Sequence, residues 1–221
     1  MSWPTRLPGK LVAILIVANY AIPARANGLE SLEIFVKTVK TGKADFSQVV
    51  TPPAREGQTP RVKTSTGSFE FSRPGHFKFT YKKPFEQTIV ADGQTLWLYD
   101  VDLNQVTARK QAQVLGSTPA ALVASAADLK ALQADFTLAN EPGSAPDKDG
   151  LEWVAATPKT KDGQVQTVRI GFRSGNLAAL EILDSFGQTS RMSFSGFAAN
   201  VLLDATTFQF KPPAGADVMR Q

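Results

Sequence analysis

Cysteine is absent, and His76 is the sole histidine among 221 residues. These two counts decide most of the available chemistry. Without cysteine there is no thiolate nucleophile, disulfide, iron–sulfur cluster or thiolate zinc site. With one imidazole, no zinc site can rest on two or three histidines. A serine hydrolase would have to use His76 as its only base. His76 stands opposite in phase to Phe77 in a segment where aromatics alternate with lysines, which is the position of a solvent-facing histidine. The nearest approach to a nucleophile elbow, Met192-Ser193-Phe194-Ser195-Gly196, lacks the first glycine of Gly-x-Ser-x-Gly. Carboxylates are plentiful, at 20 Asp+Glu, but no spacing selects a pair for glycoside hydrolysis. The expectation is a protein with no catalytic residue, no metal and no cofactor.

The composition is that of one globular domain: 43% hydrophobic, 20% charged and 9% aromatic. The formal charge of +4 is concentrated in a leader. Arg6 and Lys10 precede a largely apolar run, Leu11–Ile22, and Ala24-Arg25-Ala26 places small residues where a signal peptidase reads. The run is too short, and too interrupted by Asn19 and Pro23, for the ~20 apolar residues of a membrane span. Residues 1–26 are therefore expected to be a cleaved signal peptide, and 27–221 the mature domain. The leader holds Arg6, Lys10 and Arg25 but no acid, so 24 Lys+Arg against 20 Asp+Glu become 21 against 20, a net charge of +1. The electrostatic footprint of a nucleic-acid binder disappears with it. An exported chain without cysteine cannot be acylated after cleavage, so a free periplasmic protein is expected.

The elements that follow are mostly strands. Leu29, Leu32, Phe35, Val36 and Val39 recur at helical spacing, with Gly42 as a stop. From Ala44 the period becomes two. Strands are expected at Phe46–Val50, Gly67–Ser72, Phe77–Lys82, Gln87–Ala91, Gln94–Tyr99, Asn104–Arg109, Leu151–Ala156, Val165–Phe172, Leu177–Leu183, Arg191–Phe197 and Thr207–Phe210. Asp92-Gly93 is a hairpin signal. Thr51–Pro60 holds three prolines and reads as a loop. Alanine-rich Ser117–Leu132 reads as one or two helices, started at Thr118-Pro119, and Glu141–Gly150 as a polar loop. The fold class is mainly β with helices: a strongly curved, largely antiparallel sheet, covered by an N-terminal helix and a central helical insert. Pattern alone leaves open whether the concave side is a packed core or a lidded cavity.

Four segments, in order, carry a resemblance. They are Phe69-Glu70-Phe71-Ser72-Arg73-Pro74-Gly75-His76-Phe77, Asp92-Gly93-Gln94-Thr95-Leu96-Trp97-Leu98-Tyr99, Thr118-Pro119-Ala120-Ala121-Leu122-Val123-Ala124 and Phe208-Gln209-Phe210-Lys211-Pro212-Pro213-Ala214-Gly215. Together they resemble the periplasmic outer-membrane lipoprotein carrier (LolA) family, over nearly all of 27–218. The resemblance implies an incomplete, half-open β-barrel closed by helices around a hydrophobic cavity. It implies a monomeric chaperone that accepts triacylated, outer-membrane-directed lipoproteins from an inner-membrane ABC transporter. The cargo would then pass to an outer-membrane receptor, LolB. The alternative is a periplasmic lipid- or lipoprotein-sensing regulatory domain on the same fold. About 195 mature residues leave little room for the second domain such a sensor carries.

The resemblance also assigns roles. Arg73, with Pro74, would latch the lid: a guanidinium offers five donors and stays charged, so it can hold several carbonyls. Phe77, Phe79, Ile89, Trp97, Leu122 and Val123 would line the acyl-chain cavity, against the plainer reading of ordinary core packing. Ala120-Ala121 stands where the family commonly has larger apolar residues.

Overall fold

The computed structural model describes residues 27–54, 57, 59–114, 126–141, 146–160 and 163–221. The expected signal peptide, Leu122, Val123 and most of the alanine-rich segment lie outside these residues.

Helix α1 (Gly28–Thr38) turns Leu32, Phe35 and Val36 inward. The side chain of Asn27 caps its start by accepting from the Glu30 amide. The helix stops at Thr38, before Gly42, which already lies in β1 (Thr41–Thr51). Then come β2 (Lys63–Ser72), β3 (His76–Lys83), β4 (Gln87–Asp92), β5 (Thr95–Asp100) and β6 (Gln105–Lys110). Two short helices, α2 (Gln111–Val114) and α3 (Leu129–Asp135), precede β7 (Phe136–Asn140). The chain continues through β8 (Glu152–Pro158), β9 (Val165–Arg173), β10 (Asn176–Asp184) and β11 (Thr189–Ala199). A short 3-10 helix (Ala205–Phe208) and β12 (Asp217–Arg220) follow.

The twelve strands of the described residues form one open sheet, in the order β12-β6-β5-β4-β3-β2-β1-β11-β10-β9-β8-β7. It is two antiparallel meanders, β1–β6 and β7–β11, joined where β1 pairs with β11. Strand β12 departs from this pattern and runs parallel to its neighbour, β6. Two expectations need correction. Thr207–Phe210 is not a strand, because Asp204 accepts from the amide and hydroxyl of Thr206 and winds the chain into a 3-10 turn. Strands β7 and β12 are absent from the expected set; β7 is defined by its pairing with β8, and β12, four exposed residues, by its pairing with β6.

The concave face holds the core. Helix α1 packs there on β7–β10. Leu32, Phe35, Phe69, Phe71, Phe77, Phe79, Ala91, Ile170 and Phe172 form one continuous buried cluster. Gly67 lets β2 bend tightly over β3: a Cβ there would lie 2.1 Å from the Thr80 carbonyl oxygen and 2.8 Å from the Phe46 ring. On the convex face Trp153 lies against Gly171, which has no side chain to lift it, while the guanidinium of Arg169 stacks 4.4 Å above its ring. Arg169 also bonds Glu141 and Glu181, tying the start of the 141–150 loop to β9 and β10.

Candidate functional site

The Arg73 turn joins β2 to β3 at one end of the concave face. Gln111, buried at the start of α2, braces it: its Nε2 donates to the Gly75 carbonyl at 2.6 Å and its Oε1 accepts from the Gly93 amide at 3.0 Å. One residue thus holds the β2–β3 and β4–β5 turns together. The Arg73 amide bonds the Lys40 carbonyl at 2.8 Å.

From this anchored turn the Arg73 side chain runs inward. Nε donates to the Val39 carbonyl at 2.9 Å, just past the end of α1. Nη1 donates to the Ala126 carbonyl at 2.9 Å, ahead of α3. The guanidinium lies 5.3 Å from the Phe35 ring centre and 5.2 Å from that of Phe71. Nη2 is buried with no hydrogen-bond partner among the described residues. Burial pushes the group down to about 10, so it remains charged at neutral pH. The charged group bridges the C-cap of α1 and the segment ahead of α3 through carbonyl oxygens rather than through a carboxylate. Pro74 is exposed at the turn and makes no such bridge.

The strand register then places the expected lining residues. Phe71, Phe77, Ala91 and Leu96 form one cross-strand row on the concave face, and Phe69, Phe79, Ile89 and Leu98 form the next. Phe77 is wholly buried, and the rings of Phe69 and Phe79 stack at 4.4 Å. Phe77, Phe79 and Ile89 therefore stand together on the concave face, in the first and second rows from the Arg73 turn. Trp97 does not. It pairs with Val90, one residue out of phase with that set, and its side chain is on the convex face. There it packs on Phe210 at 5.5 Å, and its Nε1 donates to Asp92 at 2.8 Å. The assignment of Trp97 to the cavity is corrected accordingly; period two, applied from Leu96 and Leu98, carries the reason. Burial works against the Asp92 carboxylate, but bonds from the Thr95 amide, Trp97 and the Gln94 amide, with the charge of His76, outweigh it and hold the group below its usual range. His76 itself is half-buried: its Nδ1 is 2.8 Å from the Pro74 carbonyl and its ring packs on Phe208.

Two features had no local signal. Asn200, in the left-handed region at φ 54°, accepts from the Lys40 amide at 2.8 Å and donates to the Thr38 carbonyl at 3.1 Å. It closes the end of α1 from 160 residues away. The second is a recess of about 510 Å³ at the opposite end of the concave face, lined by Gln48, Ser65, Tyr81, Phe85, Gln87 and Asp100 among others. Alternation places each side chain on the face; only the assembled sheet brings them together.

Comparison with known proteins finds relatives along nearly the whole chain. The outer-membrane lipoprotein carrier protein of Albidiferax ferrireducens is 71% identical over 216 residues, covering 96% of this chain and 100% of that one. The protein of the same name from Leptothrix cholodnii is 50% identical over 208 residues, covering 94% and 92%. An uncharacterized conserved protein of Thermus thermophilus shares the fold, with a TM-score of 0.53 at 12% identity over 87% of this chain and 98% of that one. Residues 37–211 match the family described as outer membrane lipoprotein carrier protein LolA, and this chain belongs to that family.

Proposed function

We propose that the protein is a periplasmic lipoprotein chaperone that shelters acyl chains against the concave face of its sheet. Family membership and near-full-length relatives bearing the carrier name support the carrier reading. The observation that carries the mechanism is the Arg73 bridge between the Val39 and Ala126 carbonyls, above a floor of Phe69, Phe77, Phe79 and Ile89.

The physical task sets the design. Each methylene kept from water is worth about 0.8 kcal/mol, so one sixteen-carbon chain is worth roughly 12 kcal/mol. No lipoprotein crosses an aqueous space with that surface bare. A carrier must cover it without holding it more tightly than the next acceptor, which requires empty and loaded states close in energy. A buried guanidinium with two carbonyl partners, and a third nitrogen unsatisfied among the described residues, is a weak latch of that kind. It favours the empty, closed state and yields when apolar chains separate the segments it joins. No covalent bond is made or broken in this cycle, so no catalytic group is needed.

The reading extends to the hand-off: cargo would arrive from an inner-membrane ABC transporter and leave for an outer-membrane receptor, LolB, with the carrier acting as a monomer. Family membership supports this extension. The test of the carrier reading is native mass spectrometry of the protein purified from periplasm, beside Arg73→Leu. The wild type is expected mostly empty, and the variant with lipoprotein retained. If both are empty, and stay so when lipoprotein is offered by detergent exchange, the carrier reading fails.

A further inference from the structure

The concave face is not uniform along its strands. The register defines parallel rows across β1–β5. Nearest the Arg73 turn the row is Phe71, Phe77, Ala91 and Leu96, and the next is Phe69, Phe79, Ile89 and Leu98. The third is Phe46, Gly67, Tyr81, Gln87 and Asp100. Beyond it, Gln48 pairs with Ser65. The face therefore changes from aromatic and aliphatic to amide, hydroxyl and carboxylate within one residue pair, with Tyr81 at the boundary. On the other meander the positions level with Gln48 stay apolar: Met192 pairs with Gln48, Leu180 with Met192, and Ile170 with Leu180. The polarity belongs to one half of the sheet and to one end of it.

That end holds the recess of about 510 Å³, within the size range of sites for small ligands. Its polar lining is Gln48, Ser65, Tyr81, Gln87, Asp100 and Asp102, and its rim carries Phe85 and Leu103, which are 69% and 70% exposed. Burial pushes the Tyr81 phenol up to about 12, so it stays protonated and able to donate. Gln48 bonds Ser190, and Asp100 accepts from the Leu103 amide, while the Gln87 side chain makes no hydrogen bond among the described residues. An apolar floor running without a break into a recess of donors and acceptors has the polarity of an acylated peptide. The tails match the floor, and the ester and amide groups where tails meet polypeptide match the recess.

We propose that this recess is the head-group subsite of the carrier: it takes the glyceryl-ester and first peptide groups of the acylated N-terminus. The acyl chains then point toward Arg73, and the polypeptide leaves past Phe85 and Leu103. The proposal rests on the carrier reading and adds to it an orientation and a ligand chemistry. Gln87 and Tyr81 meet ester and amide groups, and Asp100 and Asp102 favour amide N–H or cationic groups in the first residues of the cargo.

Photo-crosslinking of the wild-type protein tests the orientation. A synthetic triacylated cysteinyl peptide carries either a diazirine at the end of one acyl chain or a benzophenone on its fourth residue, and attachment sites are mapped by mass spectrometry. The peptide probe is expected on the turns around Phe85 and Leu103, and the tail probe on β2–β4 near Phe69 and Phe77. The reverse pattern, or the same sites for both probes, overturns the proposal while leaving the carrier reading standing. A second measurement compares this peptide with palmitate on the Gln87→Leu/Asp100→Leu variant. The ratio of peptide to palmitate affinity is expected to fall about fivefold, the worth of one or two lost hydrogen bonds. An unchanged ratio also overturns the proposal. If the wild type binds neither ligand, the carrier reading fails and the subsite falls with it.

Discussion

Replacing Arg73 by leucine should raise cargo affinity at only a modest cost in folding stability. Two hydrogen bonds from a charged donor to the Val39 and Ala126 carbonyls, both 2.9 Å, contribute about 1.5–3 kcal/mol each. Contact with the Phe35 and Phe71 rings adds about 1 kcal/mol. Against this, burial that lowers the guanidinium to about 10 costs about 3 kcal/mol. The closed arrangement therefore gains only about 1–4 kcal/mol from the side chain. Leucine gives up the bonds and removes the charge penalty, and its burial against Phe35 and Phe71 returns about 2 kcal/mol. Urea unfolding of the empty variant should shift by less than about 2 kcal/mol. Affinity for a triacylated lipopeptide should rise by the same free energy, up to about thirtyfold for 2 kcal/mol, because binding no longer has to undo the bridge. A stability loss above about 4 kcal/mol with affinity unchanged would refute the reasoning and make Arg73 a core strut.

Four further outcomes are expected. Asp92 is held below its usual range when folded, so its contribution is present above the unfolded value of 3.8 and is lost as pH falls below it; urea midpoints measured at pH 7 and pH 3 should show this drop, and Asp92→Asn should reduce it. Gly67→Ala drives a Cβ to 2.1 Å from the Thr80 carbonyl and should cost about 1–3 kcal/mol by thermal unfolding; a change under about 0.5 kcal/mol would mean that β2 bends there for another reason. Phe77→Ala empties a wholly buried position and should cost about 3–5 kcal/mol, with altered lipopeptide binding. Trp97→Phe, on the convex face, should leave lipopeptide affinity within about twofold, and a larger change would place the acyl site on both faces.

Much of this protein is legible in one dimension. Period two from Ala44 onward marks the strands, and alternation around Phe77 and Phe79 assigns the inner face without coordinates. The helical spacing of Leu32, Phe35 and Val36 predicts the buried stripe of α1. Such signals are local: backbone geometry repeats every two or 3.6 residues, and burial of one face imposes that repeat on residue choice. The absence of cysteine and the single histidine remove whole classes of chemistry by count alone.

Other features exist only after folding. Alternation sets Trp97 out of phase with Leu96 and Leu98, but which of these faces lines the floor is decided only when Leu98 pairs with Ile89. Strand β12 has four exposed residues and becomes a strand because β6 offers an unpaired edge. Asn200 closes α1 across 160 residues, and nothing near it in the chain announces that partner. The Arg73 bridge needs the ends of three segments to meet, and the polar recess needs rows from β1 to β5 to align. The sequence determines which residues are buried because burial follows local periodicity. Which buried residues meet is a matter of strand order and register, set by contacts between distant segments, and that is where this protein's Arg73 bridge and recess arise.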